Sequence, residues 1–120
     1  MSADAPRILF VTGRTPPLHC GVGDYTAHLA RALAQRALPV GVIAGVGSGG
    51  IDGVDVQAIM PSWRWRESRR LFAAIEAWRP DVVHFQYPAQ DFGRHRLPWI
   101  MALITSLRGR HVAQTWHEHY

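Results

Sequence analysis

Arg7 to Thr12 (RILFVT) contains a continuous apolar run, the pattern of a strand covered on both faces. The breaker-rich segment Gly13 to Gly23, with its Pro16-Pro17 pair, predicts a long loop after it. From Asp24 the apolar period lengthens. Tyr25, Leu29 and Leu33 recur four apart with Ala30, Ala34 and Ala37 beside them, while His28, Arg31, Gln35 and Arg36 point elsewhere. This spacing predicts an amphipathic helix ended by Pro39, and Val40 to Ala44 predicts a second strand. Gly45 to Gly53 (GVGSGGIDG) has the composition of a flexible loop, after which Val54 to Ile59 alternates with period two, as a strand near a sheet edge does. Glu67 to Arg79 places Leu71, Phe72, Ile75 and Trp78 on one helical stripe that Pro80 stops. Val82 to Tyr87 predicts a fourth strand. Pro98 suits the first turn of a third helix with a core face of Trp99, Ile100, Leu103, Ile104 and Leu107 and a cap at Gly109, and His111 to Trp116 predicts a fifth strand.

The order β-α-β-β-α-β-α-β, with short connections, implies right-handed crossovers over a mainly parallel sheet with helices on both faces, an α/β, Rossmann-like arrangement. Ligands of such sheets bind outside the carboxyl ends of the strands, near the point where strand order reverses. Three segments meet that condition: Gly13 to Asp24, Gln86 to Gly93, and His117 to Tyr120.

The 120 residues, 48% hydrophobic and 18% charged, suffice for one core and not for two. No apolar run approaches the roughly 20 residues of a membrane-spanning helix, and Met1 to Pro6 is too short and polar for a signal peptide. The expectation is a soluble, cytoplasmic chain. A lone Cys20 excludes an internal disulfide and a zinc ribbon. All 13 basic residues are Arg, which excludes a Schiff-base lysine and a Walker-type phosphate loop. The net charge of +4 is compatible with nucleotide diphosphates, acidic lipid or nucleic acid, without choosing among them.

Cys20-Gly21-Val22-Gly23-Asp24-Tyr25 falls between strand and helix, where unpaired backbone N–H groups and the helix dipole attract phosphate and small residues let a ligand approach. The structural alternative is that Gly21 and Gly23 permit positive φ in a tight turn. A nicotinamide or flavin fingerprint fits less well, because Thr26 stands where a third Gly is needed and Ala44-Gly45 where an acid is needed. His84, inside the fourth strand, has the default of a buried, hydrogen-bonded core histidine, with a catalytic role as the alternative. Gln86, Tyr87 and Asp91 emerge where strand becomes loop and suit sugar hydroxyls, or else build a capped turn on Pro88. His117-Glu118-His119 alternates His on one face, a weak metal signal without the helical spacing of a zinc motif. Trp63-Arg64-Trp65-Arg66 with Arg69-Arg70 suits an interfacial membrane patch or stacking on nucleic acid; the alternative packs one Trp under the sheet and leaves the arginines solvated.

Taken together, ILFVTGRTPPLHCGVGDYTAHLARAL (Ile8 to Leu33), RPDVVHFQYPAQDFG (Arg79 to Gly93) and VAQTWHE (Val112 to Glu118) resemble, in order, the N-terminal domain of retaining glycosyltransferases of the family 4 type. The resemblance implies a two-domain GT-B fold, of which this chain matches part of the acceptor-side N-terminal domain over residues 1–120, and the donor-binding C-terminal domain is absent. It implies transfer of a sugar from a nucleotide-sugar donor to a sugar, lipid-linked or polysaccharide acceptor, inactivity of this chain alone, no metal and no cofactor beyond the donor. By position, Gly21, Val22, Gly23 and Asp24 would face the donor phosphates and sugar. Gln86, Tyr87, Asp91, His117 and Glu118 would border the acceptor, and His84, Gln86 and His117 are the candidate catalytic residues. No nucleic-acid partner is implied. Trp63, Trp65, Arg66, Arg69 and Arg70 leave open a peripheral contact with the inner face of a membrane. The competing expectation is a non-catalytic Rossmann-like module that binds a nucleotide, an anion or a membrane.

Overall fold

Burying an apolar run on both sides requires cover from both sides, and the two faces of the sheet are filled by different helices. The computed structural model describes residues 5–13, 21–87 and 111–116. In chain order these form β1 (Ile8–Val11), α1 (Gly21–Gln35), β2 (Val40–Gly45), β3 (Asp55–Met60), a 3-10 turn (Trp65–Glu67), α2 (Ser68–Trp78), β4 (Val82–Tyr87) and β5 (His111–Trp116). All strands are parallel, in the order β3-β2-β1-β4-β5, so the fold is the α/β, Rossmann-like sheet that the pattern predicts.

Strand alternation divides the core in two. Leu9, Val11, Ile43, Val83 and Phe85 face one way and pack on Leu71, Ala74, Ile75 and Trp78 of α2. Phe10, Val40, Val42 and Ala44 face the other way and pack on Ala27 and Ala30 of α1. The chain steps from β1 outward to β2 and β3, then crosses back through α2 to β4 on the other side of β1. The order therefore reverses between β1 and β4. β3 is an edge strand with partly covered residues, as its alternating sequence predicts.

Four local features differ from the sequence expectation. Helix α1 starts at Gly21 rather than Asp24, so the glycines form its first turn instead of a preceding loop. Its buried stripe is Thr26, Ala27 and Ala30, with Leu29, Leu33 and Ala34 partly covered. At 3.6 residues per turn, Tyr25 lies about 140° around the helix from Ala30, and it is exposed. The helix ends at Gln35, before Pro39, in a Schellman motif: Leu38 N–H donates to the Leu33 carbonyl (3.3 Å) and Ala37 N–H to the Ala34 carbonyl (3.0 Å), with Ala37 left-handed at φ 64°. The glycine-rich stretch is anchored rather than featureless, since Ile51 is buried against the α1 side of the core and bridges to Val54. No helix among the described residues is long and apolar enough to cross a membrane. The third helix expected after Pro98 lies outside the described residues.

At the amino end of the sheet, Arg7 ties β1 to the end of α2. Its guanidinium lies 4.2 Å from the Trp78 ring centre and donates to the carbonyls of Trp78 (2.7 Å) and Arg79 (3.1 Å). The Arg7 backbone N–H donates to the Asp81 carboxylate (2.8 Å), and Trp78 Nε1 donates to Asp55 Oδ2 (2.9 Å) at the start of β3.

Candidate functional site

A parallel sheet whose order reverses leaves a crevice at the carboxyl ends of the two strands flanking the reversal, here β1 and β4. Beyond Val11 the chain stays beside β2: Thr12 N–H donates to the Ile43 carbonyl (3.1 Å), and Gly45 N–H donates back to the Gly13 carbonyl (2.9 Å). That approach is close. A Cβ on Gly45 would stand 2.8 Å from the Gly13 carbonyl oxygen. An acidic side chain at this position, which a dinucleotide site requires at the end of the second strand, would displace the backbone that enters the crevice.

Thr12 closes β1 with a fully buried side chain, and its Oγ1 has no hydrogen-bond partner. Alternation from Phe10 places Thr12 on the α1 side of the sheet. Thr26, also fully buried, is the other polar residue of the described core and is engaged in contacts of its own. A buried hydroxyl without a partner costs about 1–3 kcal/mol relative to a satisfied one. Sequence reasoning missed Thr12, although a polar residue ending an apolar strand at the ligand end of a sheet was the available signal.

Helix α1 begins at this same end. Gly21, Val22 and Gly23 form its first turn, whose N–H groups have no acceptor within the helix, and the dipole adds partial positive charge there. Among the described residues the glycines with positive φ are Gly47 and Gly53, so Gly21 and Gly23 are not tight-turn glycines. Asp24, exposed in the first turn, complements the dipole but would repel a phosphate; it suits a hydroxyl.

His84 is paired with Phe10 across β4 and β1, its ring 5.2 Å from the Phe10 ring. It is half-buried on the α1 side and has contacts of its own, so it is less enclosed than the core histidine that the strand pattern suggests. Gln86 and Tyr87 continue β4 past its last pair with β1 and pair instead with Thr115 and Trp116 of β5. The backbone thus brings the first turn of α1 and the ends of β1, β4 and β5 to one end of the sheet. Cys20, Asp91, His117, Glu118 and His119 lie outside the described residues. Among the described residues no group of three or more His, Cys, Asp or Glu could hold a metal ion.

The Trp and Arg segment splits. Trp63 is buried among Leu71, Ile75 and Met60, whereas Trp65 is 59% exposed in the 3-10 turn.

An all-parallel sheet with a helix N-terminus at its reversal point defines the class of α/β domains that hold ligands at the strand ends. Within that class, a family described as "Glycosyl transferase 4-like domain" matches residues 20–120, and the chain belongs to it. The match opens at the first turn of α1 and spans β4 and β5, while β1 precedes it. No curated protein and no solved structure matches the chain.

Proposed function

We propose that this chain is the acceptor-side half of a retaining glycosyltransferase of GT-B architecture, moving a sugar from a nucleotide-sugar donor to a sugar, lipid-linked or polysaccharide acceptor. Membership of the glycosyl transferase 4-like family supports the reaction class. The observation that most supports the site is the glycine-bearing first turn of α1 at the sheet's reversal point, on the side of the unpartnered Thr12 hydroxyl. In this reading the N–H groups of Gly21, Val22 and Gly23 meet the donor phosphates, and Asp24 meets a sugar hydroxyl. Phosphate contacts in this chain come from backbone N–H groups or Arg, because the sequence has no Lys. Gln86, Tyr87, Asp91, His117 and Glu118 border the acceptor. A glutamine amide carries no titratable proton, so Gln86 fits hydroxyl binding, and His84 and His117 are the candidates for proton transfer.

Amide NMR during titration with UDP and with GDP tests the donor side, because it registers weak binding. The expected result is shift changes concentrated at Thr12 and residues 21–24, strongly reduced in Gly23→Val, which adds a branched side chain to the first turn of the helix. Changes confined to other strand ends, or none with either nucleotide, would overturn the assignment.

A further inference from the structure

The exposed large hydrophobic residues among the described residues are Tyr25 (49%), Val46 (62%) and Trp65 (59%). They come from three different elements, yet the parallel topology sets all three at the carboxyl end of the sheet: Tyr25 in the opening turns of α1, Val46 directly after β2, and Trp65 after β3. Val46 N–H donates to the Met60 carbonyl (3.0 Å), which joins the ends of β2 and β3 just before the segment bearing Trp65.

Among the described residues the same end is basic. Arg64, Arg66, Arg69 and Arg70 surround Trp65 in sequence, on the 3-10 turn and the first turn of α2. Glu67 binds two of them, Arg66 at 3.5 Å and Arg70 at 3.2 Å, and is itself mostly covered. Among the described residues Arg64 and Arg69 form no ion pair. Among the described residues Asp24 is the exposed carboxylate at this end. Among the described residues of the amino end, by contrast, Asp52, Asp55 and Asp81 offset Arg7, Arg36 and Arg79, and no large hydrophobic residue is exposed.

We infer that the β2–β3 side of the carboxyl end, away from the ends of β4 and β5, is a docking surface for an anionic lipid bilayer, with Trp65 and Val46 entering the headgroup boundary and the four arginines meeting lipid phosphates. Indole at a membrane–water interface keeps its apolar face and its N–H both satisfied, and exposed arginines near anionic headgroups add attraction to the apolar contact. Val46 has no planar face on which a nucleic-acid base could stack, which disfavours that partner. A second copy of the chain would bring like charge against like charge. Trp63 has no part in the contact, since it belongs to the core. The inference does not depend on the transferase reading, because a bilayer contact needs no sugar donor.

Co-sedimentation of the full chain with vesicles tests it. Vesicles of phosphatidylcholine mixed with phosphatidylglycerol are expected to carry the protein down, vesicles of phosphatidylcholine alone to leave it in solution, and added salt to release it. Removing two unpaired arginines together, Arg64→Gln with Arg69→Gln, is expected to weaken partitioning about 30-fold. Trp65→Ala should weaken it several-fold while leaving the thermal melt and the UDP-induced shifts at residues 21–24 unchanged. If Trp65→Ala does not fold, the arginine pair carries the test. Equal binding to both vesicle types, no binding to either, or insensitivity to the arginine pair would overturn the inference. So would tighter binding of a single-stranded oligonucleotide than of the mixed vesicles.

Discussion

Gly41 has no side chain in the middle of β2 because the indole of Trp78 occupies the place where one would be. A Cβ there would lie 2.7 Å from Cε2 and 2.8 Å from Cζ2 of Trp78. The indole cannot yield freely, since Arg7 packs over its face and Asp55 accepts from its N–H. Gly41→Ala is therefore expected to lower the urea midpoint by the equivalent of about 1–3 kcal/mol, the usual cost of overpacking a core. The double variant Gly41→Ala, Trp78→Leu should show a smaller loss than the sum of the two single changes, which a double-mutant cycle reads directly. Additive losses would mean that the two residues do not compete for the same space. The helical stripe of the sequence was enough to place Trp78 in the core. The need for glycine opposite it was not legible, because it arises from contact between residues 37 positions apart.

Individual elements were legible where burial and period agree. β1, β2 and β4 follow their apolar runs, and α2 follows its stripe of Leu71, Ile75 and Trp78 almost to the residue. The ends were harder. Two glycines argue against a helix start by propensity, yet α1 begins on them, since the cost of glycine is greatest in a helix interior and its opening turn has few bonds to lose. In an extended run Trp63 and Trp65 would share a face, but the chain turns from extended backbone at Arg64 into a 3-10 turn at Trp65, so one indole is buried and the other is not. The C-terminal end of α1 offers a direct check. Ala37 holds the left-handed position of its Schellman motif, where an L-residue costs roughly 1–2 kcal/mol relative to glycine. Glycine also costs more entropy in the unfolded chain, so Ala37→Gly is expected to stabilise by a net of about 1 kcal/mol or less. Thermal or urea unfolding measures it, and a destabilised variant would show that the hydrogen bonds of this cap do not form.

For the molecule as a whole, composition disclosed a net positive chain but not where the charge lies; only the topology collects Arg64, Arg66, Arg69 and Arg70 with Trp65 at one end and, among the described residues, balances the other. The candidate site was legible only in outline: the rule that ligands sit at strand ends selects the end of the sheet where α1 begins, whereas the orphaned Thr12 hydroxyl required the packed core to be seen. The same topology orders stability. β1 is paired on both sides and buried on both faces, its partner β2 is nearly as covered, and β4 buries Val83 and Phe85. β3 bonds to one neighbour, its residues are mostly half-exposed, and its register with β2 shifts at Ala44–Gly45. Opening β3 disturbs one ladder, whereas opening β1 breaks two ladders and both core layers, so the two strands should exchange amide protons by different routes. Native-state exchange is expected to be slowest at Leu9–Val11, Val42–Ile43 and Val83–Phe85, with free energies equal to global unfolding. The ladder amides of β3 should exchange through a smaller opening that responds weakly to denaturant. Because the β1–β4 pairing joins segments 74 residues apart, its amides should also be late to gain protection when refolding is followed by pulsed exchange. Protection in β3 equal to that in β1, at every denaturant concentration, would show that the sheet opens as a single unit and that the edge is held by more than its one ladder.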